Sequence, residues 1–427
     1  MAADKFLFIS SFGTILDLAW QVKKEGAEVK MWIQSRREKD IGDGFIDKVD
    51  EWERAKDWAD VIVFDDSGFG PLCDRLRREG KAVVGGTAYT DRLEDDRDFC
   101  QAEFKAAGLS TLPCWDFESF DAAIEFVRKN PDRYVVKPNG KAQNEKVLSY
   151  VGQEEDGKDI LTVLSFYKRG WGSKLKAFQL QKYALGVEVA IGAYFNGKDF
   201  ILPACINFEH KRLFNDEVGP STGEMGTSMF WAGENTLYRE TLAKFRSRLA
   251  ESRYVGYFDI NCIASYRGIV PLESTPRFGY PTINIQMEGV LSRWSEFLSE
   301  LARGQPYTLR TKKGFQVGVV VAVPPFPFED PAAFRKYSED AVVIFKRDLP
   351  EGVHPAEVKL VDGDWRLTGS SGYALIATGS ASTMIDARKE VYNRIKCILI
   401  PNMFYRTDIG ERWVRDGDLL QSWGYLS

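Results

Sequence analysis

The sequence predicts an α/β protein (α+β overall) that begins with a doubly wound parallel sheet and ends in a β-rich unit. Near the N-terminus, short apolar runs alternate with charged segments of helical character, which is the pattern of buried parallel strands joined by helices. Farther along, apolar and polar residues alternate with a period of two, which indicates antiparallel strands. From residue 314 onward the chain is again strand-rich, and it ends with a predicted helix at 384–396.

Four apolar runs predict the strands of the parallel sheet, and the spacers between them have the composition of helices. This unit is expected to end near residue 92. The runs are 5–9, 29–33, 61–65 and 82–86.

The middle of the chain carries several local signals. A helix closed by Gly108 precedes an edge strand, and Ser119 is placed to cap the next helix. Asn196-Gly197 between two alternating runs is a strong hairpin signal, and 236–252 has the pattern of one amphipathic helix.

Composition excludes several classes of protein. No apolar run of about 18 residues is present, so we expect no membrane span, and the N-terminal apolar run is too short for a signal peptide. Six cysteines without CxxC spacing suggest reduced thiols in the cytoplasm. Two histidines exclude a His-rich metal site, and a net charge of −5 argues against a large nucleic-acid footprint.

Two acidic residues flank a short turn at 265–268. Asp259 and Glu273 are 14 positions apart, a spacing that puts them on neighbouring antiparallel strands within about one residue of register. Carboxylates brought together repel unless a cation bridges them or water screens them, and oxygen ligands suit Mg²⁺. Thr275 adds a hydroxyl oxygen, and Arg277 could clamp a carboxylate or a phosphate.

Two further segments carry polar groups at strand ends. Lys137 ends an apolar run before a polar turn and could reach a phosphate, although a solvated lysine is the more common occurrence. Segment 181–183 precedes a turn and could offer backbone groups to an adenine edge, with Glu188 accepting from ribose hydroxyls. The alternative is a glutamate on the wet face of a sheet.

Residues 209–227 predict a long glycine-dense loop with little regular structure. Loops of this length inside a compact domain are more often functional than not. Lys211 and Arg212 add positive charge next to glycines, whose backbone N–H groups can approach an anion.

Together these motifs resemble an ATP-grasp ligase, and within that superfamily phosphoribosylamine–glycine ligase. Four segments carry the resemblance: "HKR" at 210–212, "GPSTGEMG" at 219–226, "ESTPRFGYPT" at 273–282 and "FYRTDIG" at 404–410. The resemblance implies an N-terminal domain at 1–92, an ATP-grasp domain at 93–312 with a small lid subdomain at about 107–180, and a C-terminal β-rich domain at 313–427.

The resemblance also implies roles for individual residues. Catalysis falls to Lys211, Arg212 and Arg277, and ATP binding to Lys137, Gln181, Lys182, Tyr183 and Glu188. The implied ligands of Mg²⁺, for which Mn²⁺ could substitute, are Asp259, Glu273 and Thr275. Thr275 stands where the family has an asparagine. Substrate binding falls to Gly219, Ser221, Thr222, Gly223, Met225, Gly226 and Tyr280.

The implied activity is ATP-dependent ligation of a carboxylate to an amine through an acyl phosphate, as in purine biosynthesis. The leading substrates are an amino acid such as glycine and a phosphorylated amine such as phosphoribosylamine. Three departures keep alternatives open: the lid sequence "GKAQNEK" retains only Gly140, the N-terminal phosphate loop is reduced to "SSFGT" at 10–14, and Tyr280 replaces an acid. The alternatives are a ligase for another acceptor, such as a modified nucleotide or a nucleic-acid base to be modified, and a non-catalytic nucleotide-binding homologue.

Overall fold

The first five strands form a parallel sheet in a computed structural model, which describes residues 4–139, 148–172, 175–346 and 349–427. The strand order β3-β2-β1-β4-β5 is that of a doubly wound sheet, so this prediction is confirmed. The strands are β1 Lys5–Ser10, β2 Glu28–Ile33, β3 Asp47–Lys48, β4 Val61–Phe64 and β5 Ala82–Val84. The helices are α1 Leu16–Lys24, α2 Trp52–Ala55, α3 Gly70–Arg78 and α4 Ala88–Asp95.

A small four-stranded antiparallel sheet follows helix α5, Arg97–Ala106. Its order is β6-β9-β7-β8, so β6 is at an edge as predicted, and Ser119 caps the following helix by accepting from the N–H of Ala122. The strands are β6 Cys114–Phe117, β7 Tyr134–Pro138, β8 Tyr150–Val151 and β9 Phe178–Lys182, with helices α6 Phe120–Lys129 and α7 Lys158–Gly170.

The centre of the molecule is an eight-stranded antiparallel sheet with the order β14-β13-β10-β11-β12-β15-β20-β17. The predicted hairpin at Asn196-Gly197 joins β10 to β11. The strands are β10 Val187–Asn196, β11 Phe200–Phe214, β12 Val218–Ala232, β13 Val255–Ser265, β14 Gly268–Thr275, β15 Phe315–Val321, β17 Val353–Pro355 and β20 Leu375–Ala381. The helices of this part are α8 Thr236–Glu240, α9 Leu242–Glu251, α10 Thr282–Gly289 and α11 Trp294–Ala302.

Two predictions about this region are wrong. The stretch 209–227 is not an irregular loop: it belongs to a long hairpin of β11 and β12, closed by a 3₁₀ turn at Asn215–Glu217. The glycines are accommodated within paired strands whose register shifts twice. The predicted single helix over 236–252 is two helices, because the backbone of Thr241 leaves the helical region with φ −126° and ψ −89°.

The C-terminal part adds short elements around one end of the central sheet. Strands β15, β17 and β20 belong to that same sheet, so hydrogen-bonded pairing continues across the predicted boundary at 312/313, which stays a prediction. The remaining elements are α12 Pro331–Tyr337, β16 Ile344–Phe345, β18 Val358–Val361, β19 Asp364–Leu367, α13 Met384–Ile395, β21 Ile398–Leu399 and α14 Trp413–Ser422. Across the described ranges, each helix falls short of the length and apolarity that crossing a membrane requires.

Candidate active site

A cleft of about 700 Å³ opens between the four-stranded sheet and the central sheet. Residues of β7, β9, β10 and β11 line it on one side, and residues that precede and begin α14 line it on the other. Six residues that the sequence analysis assigned to ATP binding or catalysis meet in this cleft: Lys137, Gln181, Lys182, Tyr183, Glu188 and Lys211.

The polar floor of the cleft follows from the period of two along each strand. Residues directly opposite each other in an antiparallel sheet project to the same face, as do residues two apart in one strand. The pairing of Ala190 with Asn207 and with Asn261 therefore aligns polar positions of β10, β11 and β13 on one face. The side chains on this face include Glu188, Asn207, Glu209, Lys211, Asp259 and Asn261, joined from β14 by Glu273 and Thr275.

The ammonium group of Lys211 lies among three carboxylates of this face. Its Nζ is 3.1 Å from Glu188 Oε1, 3.1 Å from Glu209 Oε2 and 3.4 Å from Glu273 Oε1. The carboxylates hold the pKa of Lys211 well above its usual value despite burial, and Lys211 lowers the pKa of Glu188. The lysine is therefore a permanent cation at neutral pH, and Glu188 a permanent anion.

The predicted register of the two acids needs a correction. Glu273 lies opposite Asn261, and Asp259 lies opposite Thr275, so the acids are offset by two residues rather than one. The cause is a register shift between Asn261 and Cys262, where β14 has one additional residue, Leu272. Such a bulge changes which side chains meet without changing the lengths of the strands.

The side chain of Asp259 is buried and hydrogen-bonded to its neighbours. Its Oδ2 accepts hydrogen bonds from Asn207 Nδ2 and from the Tyr257 hydroxyl, both at 3.2 Å, and the residue is buried. Burial first and the negative charge of Glu209 second raise the pKa of Asp259 to about 8.

Asn261 is a site residue that the sequence analysis missed. Its Nδ2 donates to Glu209 Oε2 at 3.1 Å, whereas its buried Oδ1 accepts no hydrogen bond in the part of the chain that the structure describes. An orphaned carboxamide oxygen opposite Glu273 completes an oxygen donor set that suits Mg²⁺. No cluster of three or more His, Cys, Asp or Glu arranged for a metal is present within the described ranges.

Glu209 was missed as well. It begins the stretch 209–227, whose glycines predict a loop, whereas the alternation along the observed strand β11 puts Glu209 on the face of Lys211. The same alternation along β13 could have drawn attention to Asn261, because an amide in a strand that is otherwise buried needs a partner.

Lys137 ends β7 and its side chain reaches the cleft. Burial, with Arg97 as the next cause, lowers the pKa of Lys137 to about 8. Glu273 and Glu188 oppose that shift, so these carboxylates are close enough to interact with the ammonium. The lid residues of the sequence analysis, Gly140 with Lys141 and Lys146, lie outside the described residues.

The last residue of β9 and the residue after it use their backbone N–H groups in hydrogen bonds within the protein. The N–H of Lys182 donates to Pro113 O at 2.9 Å, and that of Tyr183 donates to Arg133 O at 3.0 Å. The guanidinium of Arg133 also stacks over the Tyr183 ring at 3.6 Å. The segment therefore has a fixed shape at the edge of the cleft, and these two N–H groups are not offered to a ligand.

The motif "FYRTDIG" fixes the hairpin that carries Lys211. The fully buried Arg406 donates to Arg212 O at 2.8 Å and to the carboxylates of Glu217 and Asp408 at 2.8 and 2.7 Å. His210 accepts from the N–H of Gly410 at its Nε2, so its Nδ1 carries the proton that points to Glu217. These contacts with a distant hairpin explain the residues of the motif, which the local structure at 404–410 does not require.

The predicted substrate residues of β12 divide into three pairs. Thr222 donates its hydroxyl to Lys211 O at 2.9 Å, and Gly223 lines a second cavity. Met225 is fully buried, and a Cβ at Gly226 would be 2.5 Å from Gly318 O, so these two serve packing. The other two members of the prediction, Gly219 and Ser221, lie on β12 near the 3₁₀ turn, where Gly219 O accepts from Arg212 and Ser221 pairs with Arg212.

The two remaining arginines of the prediction do not line the cleft. Arg212 Nη1 donates to Gly219 O at 3.0 Å. Arg277 is held by Glu94 at 2.9 Å and by Asp66 at 3.1 Å. Their catalytic roles stay predictions.

The N-terminal loop already holds an anion of the protein's own. The carboxylate of Asp65 accepts from the Ser10 hydroxyl, from the N–H of Ser11 at 3.1 Å and from the Thr14 hydroxyl at 3.1 Å. Tyr280 donates its hydroxyl to Asp65 O at 3.3 Å. The donors that the sequence analysis assigned to a substrate phosphate are thus occupied.

A second cavity, of about 400 Å³, lies beside that loop. Its walls include four aromatic side chains, and its charged lining residues are four glutamates and one arginine. The aromatic residues are Phe12, Tyr280, Phe326 and Tyr373, and the charged ones are Glu38, Glu224, Glu329, Glu357 and Arg37.

Residues 95–252 match the model of the phosphoribosylglycinamide synthetase ATP-grasp (A) domain. The chain is similar to the phosphoribosylamine–glycine ligase of Streptococcus pneumoniae, with 24% identity over 363 residues, which are 82% of this chain and 83% of that one. The enzyme of the same name from Listeria monocytogenes serotype 4b is 26% identical over 351 residues, 80% of this chain and 81% of that one.

Solved structures share the fold. The crystal structure of phosphoribosylamine–glycine ligase from Thermotoga maritima superposes with a TM-score of 0.69 at 22% identity, over 95% of this chain and 100% of that one. The biotin carboxylase domain of 2-oxoglutarate carboxylase from Hydrogenobacter thermophilus, solved with MgADP and bicarbonate, gives 0.62 at 12% identity, over 99% and 98% of the two chains.

Lys211→Met is expected to lower the stability by about 2 kcal/mol at pH 8, because three carboxylates lose their shared cation. In the variant, repulsion raises the pKa values of these carboxyl groups, so protonation at pH 5 relieves it and the deficit shrinks. Thermal unfolding of wild type and variant at both pH values measures the difference. Lys211→Arg is the matched control that keeps the charge. A deficit of equal size at pH 5 and pH 8 would show that the loss is one of packing.

Proposed function

We propose that this chain, an ATP-grasp protein that resembles phosphoribosylamine–glycine ligase, is an ATP-dependent ligase that joins a carboxylate to an amine. The observation that carries the proposal is the cleft in which Lys137, Lys211 and Glu188 meet beside Glu273 and Asn261. Two cations suit the phosphates of a nucleotide, and the oxygen donors suit a divalent ion.

The chemistry has two steps. A carboxylate oxygen of the first substrate attacks the γ-phosphorus of ATP, the bond to ADP breaks, and an acyl phosphate forms. The amine nitrogen then attacks the acyl carbon, the bond from carbon to the phosphate oxygen breaks, and the nitrogen gives up a proton to water. The products are an amide, ADP and inorganic phosphate.

The residues of the cleft have separate tasks in this scheme. Lys137 neutralises phosphate charge as a cation that burial has partly desolvated. Glu188, held ionised by Lys211, accepts hydrogen bonds from the ribose. Lys211 stays protonated throughout and offsets the charge that spreads over the transferring phosphoryl group.

We assign the magnesium ion to Glu273 and Asn261, with Thr275 beside them, rather than to Asp259. Asn261 Oδ1 has no hydrogen bond among the described residues, whereas Asp259 is buried and bonded to Asn207 and Tyr257. When bound, the ion would neutralise the phosphate oxygens of ATP. Asp259, which the sequence predicts across from Glu273, would instead accept hydrogen bonds from Asn207 and Tyr257 beneath the site.

The substrates named for the relatives are glycine and phosphoribosylamine, and a small amino acid remains the proposed carboxylate donor here. A second candidate is a related ligase whose amine acceptor differs. It is favoured by one observation, that Asp65 occupies the hydroxyl and amide donors of the N-terminal loop.

Glu273→Gln is expected to lower magnesium-dependent ATP turnover at least about a hundredfold, because a carboxamide binds a hard cation less well than a carboxylate does. ADP release in the presence of an amino acid and hydroxylamine, which traps acyl phosphates, is the measurement. Glu296→Gln, at an exposed position of α11, is the matched control and keeps wild-type turnover. Wild-type turnover by Glu273→Gln would refute the metal assignment.

The affinity for ATP is expected to fall about tenfold between pH 7 and pH 9, because the Lys137 ammonium, with a pKa of about 8, deprotonates in the free protein over that range. Calorimetric titration with a non-hydrolysable ATP analogue gives the dissociation constants. Lys137→Arg, which stays charged, should show a flat profile. If wild type is also flat, Lys137 does not contact the phosphates.

A further inference from the structure

The second cavity differs in chemistry from a site for a phosphorylated sugar. A phosphate group carries up to two negative charges and needs cationic or N–H donors. The charged lining residues are four glutamates and the single guanidinium of Arg37, which is exposed; burial raises the pKa of one of the four, Glu357, to about 7. The nearby Asp65, whose pKa burial raises to about 7, is fully buried and already accepts from the N-terminal loop, so it offers no donor to an anion. A dianion placed here would meet repulsion from several sides.

Two polar groups of the cavity lack partners among the described residues. Glu38 is 6% exposed, and although its Oε1 accepts from Ser370, its Oε2 accepts no hydrogen bond. The buried hydroxyl of Tyr373 has no hydrogen bond either. Glu38 Oε2 is an acceptor that lacks a donor, and the Tyr373 hydroxyl can donate or accept, so a ligand that brings hydrogen-bond donors satisfies both groups.

The shape of the cavity is set by flat side chains. Phe326 and Tyr373 are 6.0 Å apart between ring centroids and tilted by 46°, and Tyr280 closes another wall, where its hydroxyl is fixed to Asp65 O. Phe12 is 55% exposed at the loop that borders the cavity. Aromatic walls of this kind gain most from a planar ring, and the surrounding carboxylates favour a ring that is cationic or rich in N–H groups.

Resting on the proposed ligase function, we propose that the amine acceptor is a small, unphosphorylated molecule with a planar aromatic ring, which binds among Phe12, Tyr280, Phe326 and Tyr373 with its N–H groups toward Glu38. The amine nitrogen forms the new bond to the acyl carbon, the phosphate leaves, and the nitrogen loses its proton to water. The overall reaction consumes one ATP and needs no oxidant or reductant.

Three acceptors test the inference against a common background of ATP, magnesium and a panel of amino acids. They are 5-aminomethyluridine, its 5′-monophosphate and phosphoribosylamine. Butylamine, which lacks a ring, and an oligonucleotide that carries the 5-aminomethyl base are compared with them under the same conditions. The measurements are ADP release and product mass. We expect the unphosphorylated nucleoside to be coupled at least tenfold more efficiently than each of the others. Faster coupling of phosphoribosylamine, of the monophosphate or of an oligonucleotide that carries the same base would overturn the inference.

Trapping with hydroxylamine separates the two hypotheses. Hydroxamate formation without preference for the ring-bearing acceptor leaves the ligase function in place and rejects the acceptor inference. If no amino acid yields a hydroxamate, the proposed function fails. Calorimetric titration with 5-aminomethyluridine then decides whether the cavity binds the ring: saturable binding supports that part of the inference, and its absence rejects it.

A pair of variants locates the ring. Phe326→Ala should raise the KM for the ring-bearing acceptor about tenfold or more and that for butylamine much less, because a stacking wall is lost. Phe328→Ala, at an exposed phenylalanine that does not line the cavity, should leave both KM values as in wild type. Thermal unfolding establishes that both variants are folded. Equal KM values for Phe326→Ala and wild type would contradict the placement of the ring.

Discussion

The ammonium of Lys211 is shared by Glu188, Glu209 and Glu273, which come from β10, β11 and β14, so one cation neutralises charge from three strands of the central sheet. Strand β13 lies between β10 and β14 and adds the amide of Asn261 to the same face. Carboxylates gathered in a partly dehydrated cleft repel one another strongly, so the face is stable only with a resident cation. The same charge lines the cleft.

The position of Lys211 depends in turn on the C-terminal part of the chain. Arg406 holds the backbone of Arg212 and the carboxylate of Glu217, and Arg412 donates to the carbonyl oxygens of Glu209 and Glu188 at 3.0 and 2.5 Å. Three strands beyond residue 312 also complete the central sheet. The predicted C-terminal domain is therefore joined to the cleft by backbone pairing and by arginines that order its edges.

Much of this architecture could be predicted from local patterns. Apolar runs located the parallel strands, Asn196-Gly197 located a hairpin, and Ser119 located a helix cap, because each depends on neighbours in sequence. What escaped prediction depends on distant contacts. Because β14 has the extra residue Leu272, Asn261 rather than Asp259 lies opposite Glu273. The glycines of 219–226 predict a loop, but this segment is a paired strand. The match of Asp65 to a loop 55 positions earlier has no local signature.

The two cavities border one hairpin, each at a different strand. Lys211 on β11 faces the cleft, and Gly223 and Glu224 on β12 border the second cavity, with the Thr222 hydroxyl bonded to Lys211 O. Changes at Asp65 or Tyr280 alter the second cavity without touching a group that contacts Lys211. A fold built in this way can keep the charged face of the cleft unchanged while the second cavity changes, because the side chains that line that cavity are not those that hold Lys211.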